Sequence, residues 1–572
     1  MPEKVWTTDT TLDEAQVREF AESLGIPPLI ARLLLQRGFT TGDSARDFMR
    51  PQVGDLSDPF EYSGMDIAVK RIGEAIERNE RIMISGDYDV DGVTATALLK
   101  EALVNCDAIV TTYIPDRFQD GYGLSTRSIE HAREIGAQLI VTVDCGTNDV
   151  APITLAKSHG IDCIVCDHHY PDPPFPPAVV ILNPKITDSS APFIDFSAVG
   201  VAFKLAQALY EKLRGARECA DSLLDLVAVG TVADIVPLRG ENRLLVSRGL
   251  ERLNASPRPG IAALLESAGF QSPKQVGTAQ ILFTIAPRIN AAGRMVHAAP
   301  AVELMTTTEI DVARKLAAQL EDTNKQRRAT EETIMEEAEA DLFAHLKPET
   351  DRAIVLAGDG WHEGVIGIVA SRLMNKYHRP VVMIAIRNGM GRGSSRSVHA
   401  FNLIEALTAC DDHLERYGGH PMAAGLTINR DQIPEFRNKF LAVADQQLAD
   451  AKMQPTVPID SWTRFDEIDN RMVKLLKMFE PFGPCNPRPI FASENVQVVG
   501  SPQIVGTNHL KFKARQAGQI FDAIGFGMGD VLSRLPIPPD TMKMAYHIDE
   551  NTWNGRTTTQ LQVKDIQEGS TT

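Results

Sequence analysis

The chain has 572 residues, 43% of them hydrophobic and 23% charged, and a formal net charge of −17. Such a composition is ordinary for a folded protein of three or four domains, and the acidic charge argues against a surface built for non-specific nucleic-acid binding, although a local basic groove is not excluded. No apolar run approaches 18 residues, and no basic region precedes an apolar one at the amino terminus, so we expect neither a membrane span nor a signal peptide. Seven scattered cysteines favour a reducing compartment, and the expected location is the cytoplasm.

Residues 1 to 75 have mainly helical patterns. The segments "DEAQVREFAESLG" and "PPLIARLLLQRG" both end in glycine, a typical helix stop. We expect this region to pack on the domain that follows it.

From residue 76 the pattern alternates between strands and helices. The apolar strand "RIMIS" leads through "SGDYDVDG" to the helix "GVTATALLKEALVN", and "QLIVTVDCG" and "IDCIVCDHH" are further strands that follow helices. Continuous apolar strands alternating with helices predict an α/β domain with a parallel sheet covered on both faces.

Acidic and histidine residues follow three of these strands. The first strand is followed by Asp87, Asp89 and Asp91, the next by Asp144, and the third by Asp167, His168 and His169. Sites in open α/β sheets form outside the carboxyl ends of the strands, so these side chains are expected to converge on a metal site.

Other interpretations of the same residues are less complete. "DYDVDG" matches the start of a calcium-binding EF-hand loop, but its twelfth position is Leu98 where glutamate is required, and a strand precedes it. Helix capping accounts for one aspartate at most. Asp144 alone could be an isolated strand-end acid, and the two histidines could be satisfied core groups.

Carboxylates with one or two imidazoles suit Mg²⁺ or Mn²⁺, with imidazole favouring Mn²⁺. Five or six ligands exceed what one such ion usually takes from protein, so two ions are expected. Two closely spaced ions stabilise in-line displacement at phosphorus, which predicts hydrolysis of a phosphodiester or phosphoanhydride.

Four motifs carry a family resemblance. "DYDVDG", "VTVDCG", "CDHH" and "VGTVADIVPL" resemble the phosphoesterase motifs of the DHH family. "PDRFQDGYGLS", "PRINAAGRM", "WHEGVIGIVASRL", "GRGSSRS", "YGGHPMAAGL" and "EPFGPCNPRPIF" are similar to its bacterial members that degrade single-stranded DNA from the 5′ end in recombination and repair. The motifs extend from about residue 85 to 491, and one departure is Cys485, where the family pattern has glycine.

The resemblance implies a set of metal ligands and catalytic residues. Asp144 would bridge two ions, Asp234 would complete the second site, and His169 would lie beside the scissile phosphate to polarise it or assist proton transfer. Asp167 would orient a histidine. The implied metal ligands are Asp87, Asp89, Asp91, Asp144, His168 and Asp234, and the implied catalytic residues are His169, Asp144 and His168.

The resemblance also implies a substrate-binding set. Arg396 and Ser394, with either Arg288 or Arg294, suit a 5′ phosphate, since guanidinium groups bind phosphate bidentately. Glycine-rich turns such as "GRGSSRS" can also offer N–H donors to a phosphate backbone. The implied substrate contacts are Arg117, Arg288, Asn290, Arg294, His362, Ser394, Arg396 and His420.

The predicted domains are a DHH domain over 76–300, a connecting long helix over 301–348, a smaller DHH-associated α/β domain over 349–455 and an OB-like β-barrel over 456–572. Coiled-coil pairing is the alternative for the helix. Lys511, Phe512 and Lys513 in "HLKFKARQ" are typical of a barrel whose aromatic and basic face binds single strands, and Asn554-Gly555 indicates a hairpin.

The expected substrate is single-stranded DNA with a 5′ end, and the expected product is mononucleotides. A monomer is expected, and single-strand-binding protein and a helicase are candidate partners. A DHH phosphodiesterase acting on short oligonucleotides or cyclic dinucleotides is one alternative, and an inactive replication scaffold of the same fold is another.

Overall fold

The structure is a computed structural model that describes residues 4–8, 10–51, 56–186, 191–270, 275–345, 351–451, 453–536, 540–553 and 556–569. One compact unit contains residues 56–453, and a second contains the described residues of 2–55 together with those of 454–572. Among the described helices, none is both long enough and apolar enough to cross a membrane.

The amino-terminal region contains one strand and three helices: β1 Val5–Thr8, α1 Glu14–Leu24, α2 Pro28–Gln36 and α3 Gly42–Met49. The apolar face of α2 shares a core with Phe465 and Phe479 of the carboxyl-terminal domain, and Arg37 donates to the Asn486 Oδ1 atom at 3.0 Å. The described residues up to 51 thus belong to the same unit as the carboxyl-terminal domain, whereas the sequence pattern grouped residues 1–75 with the DHH domain. Helical periodicity reveals which face is buried but not which domain covers it.

The DHH domain has a five-stranded parallel sheet in the order β3-β2-β4-β5-β6. Its strands and the helices between them are α4 Met65–Glu77, β2 Arg81–Ser85, α5 Val90–Val104, β3 Ile109–Tyr113, α6 Thr126–Glu134, β4 Ala137–Val143, α7 Val150–Ser158, β5 Asp162–Cys166 and β6 Val180–Leu182. Separate apolar cores lie on the two faces of the sheet, which confirms the predicted arrangement.

Helices complete this domain and lead out of it. Their bounds are α8 Ala198–Leu209, α9 Leu224–Ala233, α10 Gly240–Ala255, α11 Pro259–Ser267, α12 Thr278–Gln280, α13 Ala286–Met295, α14 Ala299–Thr306 and α15 Ile310–His345. The long connecting helix is α15. It begins at residue 310 instead of 301, because Thr307 adopts an extended backbone that ends α14. Residues 346–350, at the predicted boundary, lie outside the described residues.

The DHH-associated domain has a mixed sheet in the order β10-β11-β9-β8-β7. Its elements are β7 Ile354–Asp359, α16 Glu363–Tyr377, β8 Val381–Arg387, β9 Met390–Arg396, α17 Leu403–Thr408, β10 Arg416–His420, β11 Ala423–Asn429 and α18 Ile433–Gln447. The amino-terminal part of α15 joins the core of the DHH domain, and its carboxyl-terminal part packs against α16. This helix therefore links the two domains of the first unit.

The carboxyl-terminal domain is a closed five-stranded barrel of β14 to β18, with two short strands before it. Its elements are β12 Thr456–Ile459, β13 Ser461–Trp462, α19 Asn470–Lys477, β14 Phe491–Val505, β15 His509–Gln516, β16 Gln519–Gly525, β17 Met542–Trp553 and β18 Arg556–Glu568. Asn554 and Gly555, where a hairpin is predicted, lie outside the described residues. Cys485 has a φ of +60°, the left-handed conformation that glycine adopts without strain.

One prediction for the barrel is wrong. Phe512 is only 4% exposed and belongs to the barrel core, whereas Lys511 and Lys513 point outward from the same strand. Lys513 is paired with Asp522 at 2.9 Å. Alternate residues of a strand face opposite sides, so Phe512 cannot share a nucleic-acid surface with its two neighbours.

Candidate active site

The predicted metal ligands lie at the carboxyl ends of the parallel strands. They follow β2, β4 and β5, and a further one follows α9; in chain order they are Asp87, Asp89, Asp91, Asp144, His168 and Asp234. Their ligand atoms, with those of His169, form three overlapping groups, in each of which the atoms lie within 4.8 Å of one another. The groups are Asp87–Asp89–Asp144, Asp91–His168–Asp234 and Asp144–His168–His169. Asp144 and His168 are each shared by two groups, and a shared carboxylate is what bridging of two ions requires.

Asp91 is held by the first turn of α8. Its carboxylate accepts hydrogen bonds from the backbone N–H groups of Ala198 at 2.6 Å and Val199 at 3.0 Å. The positive end of a helix favours a carboxylate in this position. Gly230 makes room for it, because a Cβ atom there would lie 2.9 Å from Asp91 Oδ1 and 2.3 Å from Thr94 Oγ1.

Asp144 lies on a strained strand end. Its φ is +63°, and its backbone N–H donates to the Cys166 carbonyl at 3.1 Å. The Tyr122 hydroxyl donates to the Asp144 carbonyl at 2.7 Å. A non-glycine residue in this conformation persists only where its surroundings fix it, and functional sites are where such residues concentrate.

The carboxylates of the cluster repel one another in a buried environment. Burial, reinforced by the charge of Asp89, raises the pKa values of Asp87 and Asp144 well above their ordinary range. The same causes raise the pKa of Asp91 to about 7, and burial with the charges of Asp91 and Asp89 raises that of Asp234 to about 9. The cluster cannot be fully ionised at neutral pH without a compensating cation.

His168 has the properties of a metal ligand. Burial and the neighbouring His169 lower its pKa to about 3, which keeps the imidazole neutral. Its Nε2 atom lies 3.2 Å from Asp144 Oδ1 and 3.6 Å from Asp234 Oδ2. The Nε2 atom, like the buried Oδ1 atom of Asp87, has no hydrogen-bond partner among the described residues. A neutral, unpartnered nitrogen among carboxylates suits a divalent ion that accepts mixed nitrogen and oxygen ligands.

His169 is paired with Asp167. The His169 Nδ1 atom lies 2.8 Å from Asp167 Oδ1, and Asp167 also accepts a hydrogen bond from the Thr147 N–H at 3.0 Å. Burial by itself would raise the pKa of Asp167, but the hydrogen bonds and the charge of His169 bring it below its usual range. Burial opposes protonation of His169, yet Asp167 raises its pKa overall. His169 is thus held by one nitrogen and half-exposed, which suits proton exchange.

Three arginines form a positive cluster beside the carboxylates. Burial, and then repulsion from Arg117 and Arg396, lowers the pKa of Arg294 to about 10. The Arg396 guanidinium donates to Ser394 Oγ at 3.2 Å, and that of Arg294 donates to the Gly364 carbonyl at 3.1 Å. We call Arg117, Arg294 and Arg396 the arginine cluster. Like charges gathered in this way, with little carboxylate compensation, define an anion site.

His362 and Ser394 adjoin the arginine cluster. His362 caps α16, where its Nδ1 accepts from the Gly364 N–H at 3.1 Å, and its ring lies 5.8 Å from that of Phe118. The space over α16 is narrow, because a Cβ atom on Gly367 would lie 2.8 Å from Ser394 Oγ and 3.2 Å from Arg396.

The expected glycine-rich turn at "GRGSSRS" is a strand instead. Residues 390–396 form β9, which pairs with β8 on one side and β11 on the other. Both edges of its backbone are therefore used in the sheet, so Ser394 and Arg396 act through their side chains. Gly391 and Gly393 are explained by packing, since a Cβ atom on either would lie 2.6 to 2.7 Å from Leu426 or Ile384.

The remaining predicted substrate residues differ in their surroundings. Arg288 is buried, its Nε atom lies 2.6 Å from Glu321 Oε2, and its Nη1 donates to the Thr284 carbonyl. That ion pair compensates the charge of Arg288 within the protein. Asn290 lines a cleft with Arg294 and Arg327. His420 is exposed at the end of β10, and no hydrogen bond within the described residues joins its side chain to the cluster.

Sequence reasoning missed Tyr122. Its hydroxyl lies 3.1 Å from each of the two His169 ring nitrogens. In the chain, Tyr122 stands between Gly121 and Gly123, which both have a positive φ. The "GYG" pattern within "QDGYGLS" was the available signal, because an aromatic residue between two left-handed glycines indicates a turn built to present it.

The fold and the site together define a domain of the DHH type. The model of the "DHH family, N-terminal domain" matches residues 81–231, that of the "DHHA1 domain" matches 350–450 and that of the "RecJ OB domain" matches 459–565. These three matches lie inside the domain ranges predicted from the sequence.

Full-length similarity identifies the family within that class. The single-stranded-DNA-specific exonuclease RecJ of Bacillus subtilis is 39% identical over 97% of this chain and 70% of its own length, and that of Salmonella typhimurium is 36% identical over 95% and 96%. The crystal structure of Thermus thermophilus RecJ in complex with Mn²⁺ has a TM-score of 0.83 at 31% identity, covering 99% of this chain and 80% of that one. A second crystal structure of the same relative, in complex with Mg²⁺, has a TM-score of 0.77. The chain belongs to the RecJ family.

Proposed function

We propose that this protein is a two-metal-dependent 5′-to-3′ exonuclease that degrades single-stranded DNA to mononucleotides in DNA recombination and repair. One observation carries the proposal: the buried carboxylate–imidazole groups and the arginine cluster are neighbours in one unit. The charge of Arg117 lowers the pKa of Asp87, opposing the effect of burial. The charge of Asp89 raises the pKa of Arg294, which also opposes burial. In both cases the opposite charge stabilises the ionised form. A phosphate in the arginine cluster would thus lie close to a second phosphate at the metal groups.

The metal site would hold two Mn²⁺ or Mg²⁺ ions. The proposed ligands are Asp87, Asp89, Asp91, Asp144, His168 and Asp234, with Asp144 shared. Such ions supply Lewis acidity and lower the pKa of water at a scissile phosphate. RecJ structures of a relative contain each of these two metals, which supports the choice.

His169 would move a proton at the scissile phosphate. Asp167 fixes the Nδ1 atom and raises the pKa of the imidazole, and the Nε2 atom, which lies 3.1 Å from the Tyr122 hydroxyl, would face the substrate. His169 can then polarise a phosphate oxygen or protonate the leaving 3′ oxygen, while Tyr122 holds the ring edge.

The arginine cluster would bind the 5′ phosphate and set the polarity. Arg117, Arg294 and Arg396, with Ser394 and His362, would hold the terminal phosphate so that the next phosphodiester lies at the metals. Arg288 is not proposed as a phosphate ligand, because Glu321 already neutralises it. Asn290 and His420 are proposed to contact the strand elsewhere.

An enzyme restricted to unpaired strands needs another activity to produce them. We therefore propose that a helicase supplies its substrate. We also propose that the protein acts as a monomer and that its substrate strand is covered by single-strand-binding protein.

Labelled strands test this function. A 5′-phosphorylated strand carrying its label at the 5′ end should release labelled mononucleotide from the first turnover, whereas a 3′-labelled strand should shorten gradually. Both reactions should require Mn²⁺ or Mg²⁺ and stop in chelator, and a blunt duplex should be resistant. Faster turnover of dinucleotides than of long strands would support a small-substrate phosphodiesterase instead. Binding without hydrolysis in either metal would support a scaffold.

A further inference from the structure

A short segment at the start of helix α8 is connected to every member of one ligand group. The segment is residues 195–199, with the sequence "DFSAV", and we call it the α8 entry segment. The ligand group is Asp91–His168–Asp234, which we call the α8 group. Its members come from the first turn of α5, the end of β5 and the end of α9. Their spacing is therefore set by contacts between elements that are far apart in the chain.

The connection to Asp91 replaces an ordinary helix cap. Ser197 is the N-cap residue of α8, but its side chain makes no capping hydrogen bond. The Asp91 carboxylate accepts from the N–H groups of Ala198 and Val199 instead. The first N–H groups of a helix need acceptors, and here a carboxylate from α5 takes the place that a serine hydroxyl usually fills.

The connection to Asp234 uses the Ser197 hydroxyl that capping leaves available. The Ser197 Oγ atom lies 3.0 Å from the Thr231 Oγ1 atom, and both residues are fully buried. Thr231 lies in the last turn of α9, three positions before Asp234 at the end of that helix. Residues three apart on a helix are neighbours on its surface, so this hydrogen bond holds α9 at the turn that presents Asp234.

The connection to His168 runs through the backbone of Phe196. The Phe196 backbone hydrogen-bonds the His168 imidazole, whose Nε2 atom faces Asp144 and Asp234. A backbone carbonyl bonded to one ring nitrogen fixes the ring orientation and the tautomer, so that the other nitrogen offers its lone pair to a metal. Phe196 thus orients His168 toward the ion that the α8 group would hold.

Packing immobilises Phe196 itself. Its ring is fully buried, with its centroid 4.8 Å from that of Phe193 and 5.8 Å from that of Tyr62, and the Lys204 Nζ atom lies 5.6 Å away. Gly200 provides the space, because a Cβ atom there would lie 2.9 Å from the Phe196 ring. A close-packed interior holds a side chain in one rotamer, which fixes the position of the attached backbone.

We propose that the α8 entry segment positions the α8 group for one of the two metal ions, with Phe196 and Ser197 as its positioning residues. Among the described residues, no hydrogen bond joins this segment to the other group, Asp87–Asp89–Asp144. Its effect is therefore selective for one ion. The inference rests on the proposed function for the presence of two ions.

Manganese binding tests the proposal without relying on activity. Mn²⁺ is paramagnetic, so electron paramagnetic resonance counts the free ions in a titration and detects the coupling between two neighbouring bound ions. The wild-type chain should bind two ions and show this coupling. Ser197→Ala should raise the Kd of one ion about tenfold or more, because partners behind the ligands contribute about 10- to 100-fold to metal affinity. The Kd of the other ion should not change, and the coupled signal should appear only at higher Mn²⁺.

Matched variants separate positioning from a general loss of structure. Thr231→Val removes the other hydroxyl of the pair with little change of shape and should weaken the same ion, whereas Ser197→Thr keeps a hydroxyl and should recover most of the affinity. Phe196→Leu keeps the backbone carbonyl but loosens its anchor, and it should also weaken that ion. Ser493→Ala is the control, because the Ser493 Oγ atom lies 2.7 Å from the Tyr546 hydroxyl in an equally buried pair of the barrel. It should lower Tm and leave both Mn²⁺ constants unchanged.

The outcomes distinguish this proposal from the proposed function. If the wild-type chain binds two ions and hydrolyses single strands, that function stands whatever the variants do. Unchanged binding of both ions in Ser197→Ala and Thr231→Val, or equal weakening of both, would then overturn the positioning role alone. A selective loss of one ion in Ser493→Ala would overturn it as well. A wild-type chain that binds fewer than two ions would contradict the two-metal function and this proposal together.

Discussion

The carboxylate groups and the arginine cluster are two gatherings of like charge in the same unit, and they respond to burial in opposite directions. Burial raises the pKa of Asp234 to about 9, whereas it lowers that of Arg294 to about 10. In both places the ionised form is destabilised and lacks enough partners from the protein itself. We propose that divalent cations compensate the first region and a phosphate group the second, and a nucleic-acid strand bound at the metal ions would bring both.

Arg288 shows what an ordinary buried charge looks like beside these two regions. It is as buried as the site residues, yet Glu321 neutralises it at 2.6 Å. The comparison shows that burial of a charged side chain does not by itself indicate a binding site. A buried charged side chain without a counter-charge from the protein is the better indicator.

The largest effect is expected when the shared carboxylate is removed. Asp144→Ala should lower hydrolysis of single strands at least about a thousandfold, because several kcal/mol of charge stabilisation at the metals is lost. Binding of the 5′ phosphate should largely survive, since the arginine cluster is intact. Single-turnover rates and filter binding measure the two effects, with Asp172→Ala as control, because Asp172 is an exposed acid after the neighbouring strand β5. Retention of more than a few per cent of the wild-type rate would contradict the bridging role.

Arg288 provides the next test, because its role is expected to be structural. Arg288→Ala should lower the free energy of unfolding by up to about 3 kcal/mol, since it leaves the mostly buried Glu321 carboxylate without its partner. Arg288→Met combined with Glu321→Leu should recover most of that loss. Thermal unfolding measures the stability, and the rate ratio of 5′-phosphorylated to 5′-hydroxyl strands should stay at the wild-type value in the double variant. A collapsed ratio with normal stability would return Arg288 to the phosphate site.

The arginine cluster is tested by that same ratio. Arg396→Ala should reduce the preference for a 5′ phosphate about ten- to a hundredfold, because a charge-assisted hydrogen bond contributes about 1.5–3 kcal/mol. Arg392→Ala is the matched control, since Arg392 lies on the same strand but is exposed and bonded to Thr427. Equal wild-type rates on both substrates would remove the phosphate pocket.

The smallest effect concerns pH in the metal-free protein. The pKa of Asp234 is about 9 in the folded protein and has its ordinary value in the unfolded chain. At pH values between these two, the folded state keeps the proton and the unfolded state releases it. Stability from this group is therefore present at low pH and is lost as the pH rises toward 9. In chelator, Asp234→Asn should gain stability relative to wild type with rising pH, by at most about 1.4 kcal/mol per pH unit between the two pKa values. With Mn²⁺ the order should reverse, and a difference independent of pH would refute the assignment.

Much of the proposed metal site could be predicted from the sequence. Asp87, Asp144 and His168 follow apolar strands, and parallel strands bring their carboxyl ends to one edge, so local patterns alone place these side chains together. Asp234 could not be found in this way, because it follows a helix, and only the resemblance to the DHH family indicated it.

The sequence by itself determined the features that depend on residues close together in the chain. These are the parallel sheet, the long connecting helix, the barrel strands and the acidic residues at the strand ends. The tertiary structure alone decided which charges found partners and which faces were covered. Glu321 reaches Arg288 from α15, residues 390–396 lie between two strands, and helix α2 joins the core of the distant barrel. Each outcome depends on contacts between residues far apart in the chain, and hydrophobic periodicity records that a face is buried without recording its partner.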